Sequence, residues 1–420
     1  MMKFGLIGRP LGHSMSPRLH AFFTREEYEL RELERGQLDE YFAERDFRGI
    51  NVTIPYKLAA MEYLDEFDPS AASAAAVNCI TNADGKLKGY NTDLAGLIYL
   101  IKKHGMAKNL GNTAILGTGG AARAAAAAVE KLRGKPVFVS RDPENTWPFM
   151  NGVISYPELY SRANEWDTII NATPIGMYPH SAEHPVDLSK FPGLKNVIDI
   201  VANPFRTRLV FEAQLKGLNA AGGFEMLAAQ ALYSDRIFTG KDLPEMLIED
   251  CVRTVYSEQK NIVLIGMPSS GKTESGRLLA EKTGRAFADA DDAFREAEGM
   301  APGAFIDTYG EAAFRKKESK VLQMLSALKG SVIACGGGAV LKKNNMRHLA
   351  ENGVIIWLDR SPRLLKPSED TPLSRTAEDM DRLYAERLPL YERYADLRVP
   401  ANGTPEDTAE TIKEMLEKDF

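Results

Sequence analysis

Twice along this chain a short apolar run leads straight into a glycine-rich turn that opens a helical pattern, at residues 114–129 and again at 262–280. A strand that halts at glycines and resumes as a helix is the repeating unit of parallel α/β sheets. Its glycines also let backbone N–H groups converge on a ligand at the start of the helix. The rest of the sequence keeps this rhythm. β-Branched runs at 137–139, 168–170, 196–200, 332–334 and 354–358 are separated by longer helical stretches, which predicts an α/β chain with largely parallel sheets. With 420 residues it exceeds one ordinary core. A helical pattern over 243–258 breaks at Gln259, Lys260 and Asn261 just before a new strand, which places domains at 1–258 and 260–420.

Composition narrows the function classes. Net charge is −6, and no stretch gathers enough Lys and Arg for a nucleic-acid groove. Three cysteines, Cys79, Cys251 and Cys335, are too few and too scattered for a disulfide framework or a Cys-x-x-Cys metal site, which fits a reducing, cytoplasmic setting. No window approaches the roughly 18–20 apolar residues of a membrane span, and the first residues enter a strand-like run without a secretory leader. The expectation is a cytoplasmic protein that works on small molecules, with assembly into a homo-oligomer left open.

The second glycine turn is a complete G-x-x-x-x-G-K-[ST] loop, with Gly266, Ser269, Ser270, Gly271, Lys272 and Thr273 between a strand and a helix. Backbone N–H groups there cradle phosphates, Lys272 reaches the terminal phosphates and Thr273 ligates Mg²⁺, so ATP and Mg²⁺ are the expected cofactors. Downstream, Asp289 and Asp291 follow a short strand-like segment and would place two carboxylates on one face. One could serve the Mg²⁺ site and the other an acceptor hydroxyl. Gly336, Gly337 and Gly338 end another strand, and the helical Arg315 and Arg387 could clamp a carboxylate.

In this order, these segments resemble shikimate kinase over residues 260–420. The likeness is carried by Gly266 to Thr273, Asp289 with Asp291, Phe314-Arg315 with Glu318, Cys335 with its three glycines, and Arg387 with Tyr391. It implies a parallel-sheet P-loop kinase in which Asp291, Arg315, Gly337, Gly338 and Arg387 hold shikimate. Asp291 would contact the attacking hydroxyl, and Asp289 would support Mg²⁺ through its water shell. One departure stands out: the family's lid carries Arg-Pro-Leu, and here the corresponding residues are Thr371, Pro372 and Leu373. Lys366 and Arg375 are the nearby cations that could stand in.

The first glycine turn, Gly117, Gly119, Gly120 and Ala121, satisfies the G-x-G-x-x-[GA] dinucleotide fingerprint in its strand–helix context. At the end of the next strand, where an acidic residue would bond the ribose of NAD, the sequence reads Ser140, Arg141, Asp142. An arginine suits a 2′-phosphate, so NADP is the expected cofactor. Polar residues cluster upstream: Ser14 and Ser16; Asn51, Thr53 and Lys57 around a proline; Asn78; and Asn91, Thr92 and Asp93.

With Thr173, Gly176, Met177 and Gln230 added, residues 1–258 resemble shikimate dehydrogenase. The resemblance implies a substrate lobe (about 1–90 plus 223–258) and a Rossmann NADP lobe (about 91–222). Ser14, Ser16, Thr53, Asn78, Asp93 and Gln230 would bind substrate, Lys57 would be the acid–base paired with Asp93, and Thr173, Met177 and Gly223 would join the cofactor set. A second departure is Ala202, where the family has tyrosine. Together the two halves imply a bifunctional enzyme that reduces 3-dehydroshikimate to shikimate and then phosphorylates shikimate on the hydroxyl so created. The alternatives are a chain with one domain decayed to a binding or regulatory module, and a dehydrogenase that prefers quinate and NAD.

Overall fold

The computed structural model describes residues 2–12, 14–144, 152–367 and 373–419; His13 and Thr371 therefore lie outside the described residues. The chain divides into two compact units, Met1–Val252 and Arg253–Phe420, and the helix Met246–Gln259 runs across the division. Among the described residues no helix is long and apolar enough to cross a membrane.

The first unit holds two six-stranded sheets. Strands β1 (Met2–Gly8), β2 (Tyr28–Glu32), β3 (Phe47–Val52), β4 (Glu66–Phe67), β5 (Cys79–Ala83) and β6 (Lys86–Tyr90) lie in the order β2-β1-β3-β5-β6-β4. This sheet is mixed rather than parallel, because β5 runs antiparallel to both β3 and β6. The cause is the two-residue turn Asp84-Gly85, where both residues have positive φ (53° and 81°), the geometry that a tight hairpin requires. Ile7, Ile50, Val52, Ile80 and Leu87 fill the core on this sheet.

Strands β7 (Asn112–Leu116), β8 (Lys135–Ser140), β9 (Ile154–Ser155), β10 (Thr168–Asn171), β11 (Asn196–Asp199) and β12 (Asn219–Gly222) form the second sheet, entirely parallel, ordered β12-β11-β10-β7-β8-β9. The order reverses between β7 and β10, and a ligand crevice opens at the carboxyl ends of strands at such a switch point. The alanine run becomes the helix Gly120–Lys131, whose Ala122, Ala124, Ala125 and Ala128 are fully buried. Side chains this small let the helix lie close on the sheet.

Two helices tie these lobes together. Helix Phe224–Thr239 returns to the first sheet, where a Cβ on Gly49 would stand 2.5 Å from the Phe238 ring, and it also crosses helix Thr92–Lys103. There a Cβ on Gly96 would fall 2.8 Å from Met226 O and 3.2 Å from Gln230 Cβ. Gly96 is thus what lets Gln230 come up beside the start of helix Thr92–Lys103.

The second unit is built on strands β13 (Asn261–Ile265), β14 (Ala286–Asp289), β15 (Ser331–Ala334), β16 (Gly353–Asp359) and β17 (Leu397–Pro400), all parallel and ordered β14-β15-β13-β16-β17. The β13 strand is central and fully buried, so the loop that follows it opens at the middle of the sheet's carboxyl edge.

Candidate functional sites

In the first unit a cavity of about 800 Å³ opens where the two lobes face each other. Thr53, Lys57, Asp93, Ala202 and Gln230 line it, together with Gly117, Gly119, Gly120, Ala121, Ser140, Arg141, Thr173 and Gly223. At its centre Lys57 Nζ donates to Asp93 Oδ2 at 2.5 Å, and both side chains are largely buried. Asp93 sits in the first turn of helix Thr92–Lys103, whose N-cap Asn91 accepts from Leu94 N–H at 3.0 Å. The positive end of the helix favours a carboxylate there, and a buried ammonium is tolerated only beside such an anion. Gly120 completes the arrangement: a Cβ at that position would stand 3.0 Å from Lys57 Cβ, so the glycine turn of one lobe reaches the lysine of the other.

Beneath the pair lies a buried amide network. Asn78 accepts from Thr92 N–H at 2.6 Å and donates to Thr92 Oγ1 at 2.9 Å and to Gln230 Oε1 at 3.4 Å. Asn51 donates to Asn78 O at 3.0 Å and to Ser234 Oγ at 2.8 Å. Asn78 is 2% exposed and is not among the lining residues, but its partner Gln230 is. Ser14 and Ser16 share one turn, with Ser16 N–H donating to Ser14 Oγ at 3.2 Å, and they too lie outside the lining. Met177 is 43% exposed and is not among the lining residues either. Ser14, Ser16 and Asn78, expected at the substrate, and Met177, expected at the cofactor, are thus not among the residues that line the cavity.

The cofactor side fits a dinucleotide phosphate. Gly117 has φ of +105° and a Cβ there would meet Thr173 Cγ2 at 3.1 Å, so only glycine turns the chain here. Gly119 is the N-cap of helix Gly120–Lys131, leaving that helix's first N–H groups facing the crevice. Arg141 is exposed at the end of β8, and no carboxylate pairs with it among the described residues. Thr173 is fixed by Asn171, whose Oδ1 accepts from Thr173 N–H (3.1 Å) and Oγ1 (2.7 Å) while its Nδ2 donates to the buried Asp199. Burial pushes Asp199 up to about 7, against the hydrogen bonds from Thr207, Val201 and Asn171.

In the second unit a cavity of about 620 Å³ is lined by Ser269 to Thr273, Asp289, Asp291, Arg315, Gly336 to Gly338 and Arg387, together with Arg360 and Lys366. Lys272 is 9% exposed and donates to Gly266 O (3.0 Å) and Met267 O (2.7 Å). Burial lowers it to about 8. Carbonyls hold it without neutralising it, which suits a site awaiting a polyanion. Thr273 Oγ1 donates to Asp289 Oδ2 at 2.7 Å, joining the two groups expected at Mg²⁺.

The two aspartates do not share a strand face. Asp289 ends β14 and caps helix Ala290–Glu298, accepting from Asp291 N–H at 2.8 Å, so the chain turns into a helix between them. Both nevertheless line the cavity. Asp291 opens onto it, and the protein crowded around that carboxyl, followed by the Asp289 charge, pushes it up to about 6.

Arg315 is already engaged. Its Nη1 donates to both oxygens of Glu318 (3.0 and 2.8 Å), and its Nε and Nη2 share Glu311 Oε1 (3.1 and 3.0 Å). Burial opposes its charge, but Glu318 and Glu311 outweigh this and hold the guanidinium firmly protonated. Glu311 is 44% exposed and Glu318 only 6%, so a ligand carboxylate would displace Glu311. The spacing Glu311, Arg315, Glu318 on one helix face was the available signal for these partners. The triple glycine serves close approach rather than unusual φ. A Cβ on Gly337 would stand 2.8 Å from Pro268, one on Gly338 2.2 Å from Arg315 Nη1, and one on Gly336 between Glu318 and Asp291. Tyr391, one turn beyond the buried Arg387, pins this turn by donating to Gly337 O at 2.6 Å. Of the two cations proposed to replace the lid arginine, Lys366 lines the cavity, whereas Arg375 is outside the lining and paired with Asp307 at 2.8 Å.

Comparison with known proteins matches a family to each part of the chain. The family model "Shikimate dehydrogenase substrate binding domain" matches residues 6–80, and "Shikimate kinase" matches residues 268–417. A shikimate dehydrogenase (NADP(+)) of Bacillus subtilis is 35% identical over 260 residues, spanning 57% of this chain and 92% of that protein. Among solved structures, shikimate dehydrogenase 1 of Peptoclostridium difficile superposes with a TM-score of 0.56 at 30% identity, covering 60% of this chain and 97% of that one. The Thermus thermophilus shikimate 5-dehydrogenase, solved in complex with NADP(H) and shikimate, gives 0.54 at 32% identity, covering 60% and 99%.

Proposed function

This chain belongs to the shikimate dehydrogenase family and carries a shikimate kinase domain behind it, and from that premise we infer that it catalyses two consecutive steps on one carbon. The first unit reduces 3-dehydroshikimate to shikimate with NADPH, and the second phosphorylates shikimate with ATP and Mg²⁺. The observation that carries this reading is the Lys57–Asp93 pair at 2.5 Å, set directly against the glycine turn of the dinucleotide lobe.

NADPH supplies the hydride. Lys57 gives its proton to the carbonyl oxygen as that oxygen gains charge, and Asp93 holds the lysine in place. Thr53 and Gln230 bind substrate hydroxyls at the wall, while Asn78 acts from beneath by fixing Thr92 and Gln230. Ser14 and Ser16 would take the substrate carboxylate. Gly117 to Ala121 and Thr173 hold the cofactor, with Arg141 on its 2′-phosphate. In the second unit ATP supplies the phosphoryl group. Gly266, Ser269, Ser270, Gly271 and Lys272 bind its phosphates, and Thr273 and Asp289 hold Mg²⁺. Asp291 takes the proton from the acceptor hydroxyl, and Arg315 and Arg387 bind the acceptor's carboxylate.

A coupled assay on the full chain tests this. NADPH should be oxidised on adding 3-dehydroshikimate, and ADP should appear when ATP is then added. NADPH oxidation without ADP would leave the second unit a binding module; turnover of quinate with NAD in preference would overturn the substrate assignment.

Two variants read single contacts. Arg141→Ala should lower the preference for NADPH over NADH about tenfold, the scale of one charge-assisted phosphate contact. Half-saturation by the ketone substrate should not change. Gly338→Ala places a methyl on the Arg315 guanidinium, so the KM for shikimate should rise about tenfold. Its KM for ATP and its melting temperature should stay near those of the parent, because a flexible side-chain end, not backbone, gives way.

A further inference from the structure

We infer that Arg360 supplies a fixed, scaffold-borne cation to the phosphate chain of the bound nucleotide. The inference rests on the kinase reading of the second unit. From residue 367 to 374 the sequence holds no Lys or Arg, so the segment that should carry the lid cation has none. Arg360 comes from elsewhere. It follows β16, which pairs with β13 so that Trp357 lies opposite Ile265, and a Cβ on Gly266 would fall 2.7 Å from Leu358 O. The end of β16 therefore abuts the start of the phosphate loop, and two residues later Arg360 lines the same cavity as Ser269 to Thr273.

Its hydrogen bonding leaves it poised for an anion. Nη1 donates to Ala401 O at 2.8 Å, which anchors the guanidinium to the end of β17 without cancelling its charge. Nε is buried and has no partner, and no carboxylate pairs with the side chain among the described residues. The contrast with its neighbours is informative. Arg315 is neutralised by Glu318 and Glu311, and Arg375 by Asp307. A guanidinium whose charge no carboxylate meets, lining the cavity beside a phosphate loop, suits a polyanion. Because it directly follows β16 and is tied to Ala401 O at the end of β17, its position does not depend on closure.

Calorimetric titration of the full chain with Mg²⁺–ADP, with inorganic pyrophosphate and with shikimate tests this. Arg360→Gln removes the charge but keeps a donor for Ala401 O; Arg360→Lys keeps the charge. Arg360→Gln should bind ADP and pyrophosphate at least tenfold more weakly, Arg360→Lys should recover most of that, and shikimate affinity should change less than twofold in both. If the parent chain itself binds no ADP, the kinase reading fails. If it binds ADP and Arg360→Gln matches it within twofold, the inference is overturned. A loss for ADP without one for pyrophosphate, or an equal loss in both variants, overturns it too, by showing a base contact or a packing role.

Discussion

Replacing Lys57 by methionine should lower NADPH-dependent reduction of 3-dehydroshikimate by about 10²–10⁴-fold, the range that a positioned acid–base group contributes. The loss should appear in kcat, with the KM values for both substrates changing little, because the proton is needed most as charge develops on the carbonyl oxygen. Methionine suits the test for a structural reason. Lys57 and Asp93 are both largely buried, so an apolar side chain of similar length fills the space, although Asp93 then loses its counter-charge. Stopped-flow or steady-state absorbance of NADPH measures the effect, and quenching of NADPH fluorescence on binding shows whether the cofactor site survives. A variant that still turns over within tenfold of the parent would remove Lys57 from the chemistry. Kinase turnover in the same preparation should be unchanged, since Lys57 belongs to the first unit.

Asp291→Asn should reduce phosphorylation of shikimate by about 10²–10⁴-fold, again on the scale of a lost proton acceptor. Asn keeps the size of the side chain, and the N-cap bond from the backbone N–H of residue 291 to Asp289 is untouched. The helix Ala290–Glu298 and the Thr273–Asp289 contact at 2.7 Å should therefore survive. The prediction is a fall in kcat with Mg²⁺–ADP affinity retained, measured by coupled detection of ADP and by calorimetry. Loss of ADP binding together with turnover would instead place Asp291 in the metal site.

Much of the fold was legible. Two glycine turns in strand–helix context located both cavities, since a positive φ at Gly117 and Gly271 and a run of converging N–H groups are local properties of the chain. Continuous apolar runs marked β7, β10, β13 and β16, which are buried on both faces in parallel sheets. The Asp84-Gly85 hairpin was missed because its flanking strands carry Asn82, Lys86 and Lys88 rather than a clean apolar alternation. With it went the mixed character of the first sheet.

The site was less evenly readable. Lys57 and Asp93 are 36 residues apart and meet only because β3 and the start of helix Thr92–Lys103 converge on one cleft. Asn78 is buried and bonded to Thr92 and Gln230, and nothing local distinguishes an amide that touches ligand from one that positions its neighbour. Glu311 and Glu318 were readable in principle from helical spacing around Arg315. Arg360 was not: it stands beside a strand end like any surface arginine, and only the β13–β16 pairing carries it to the phosphate loop.

A strand stopping at glycines before a helix, met twice, determined by itself that the chain folds as parallel α/β units and binds phosphates at two places. These outcomes depend on backbone conformation and helix ends, which a few consecutive residues fix. Which side chains face those phosphates, and which residues from distant elements meet there, were decided by tertiary structure. Charge pairing and burial depend on distances between residues tens to hundreds of positions apart, and those distances exist only once the sheets have formed.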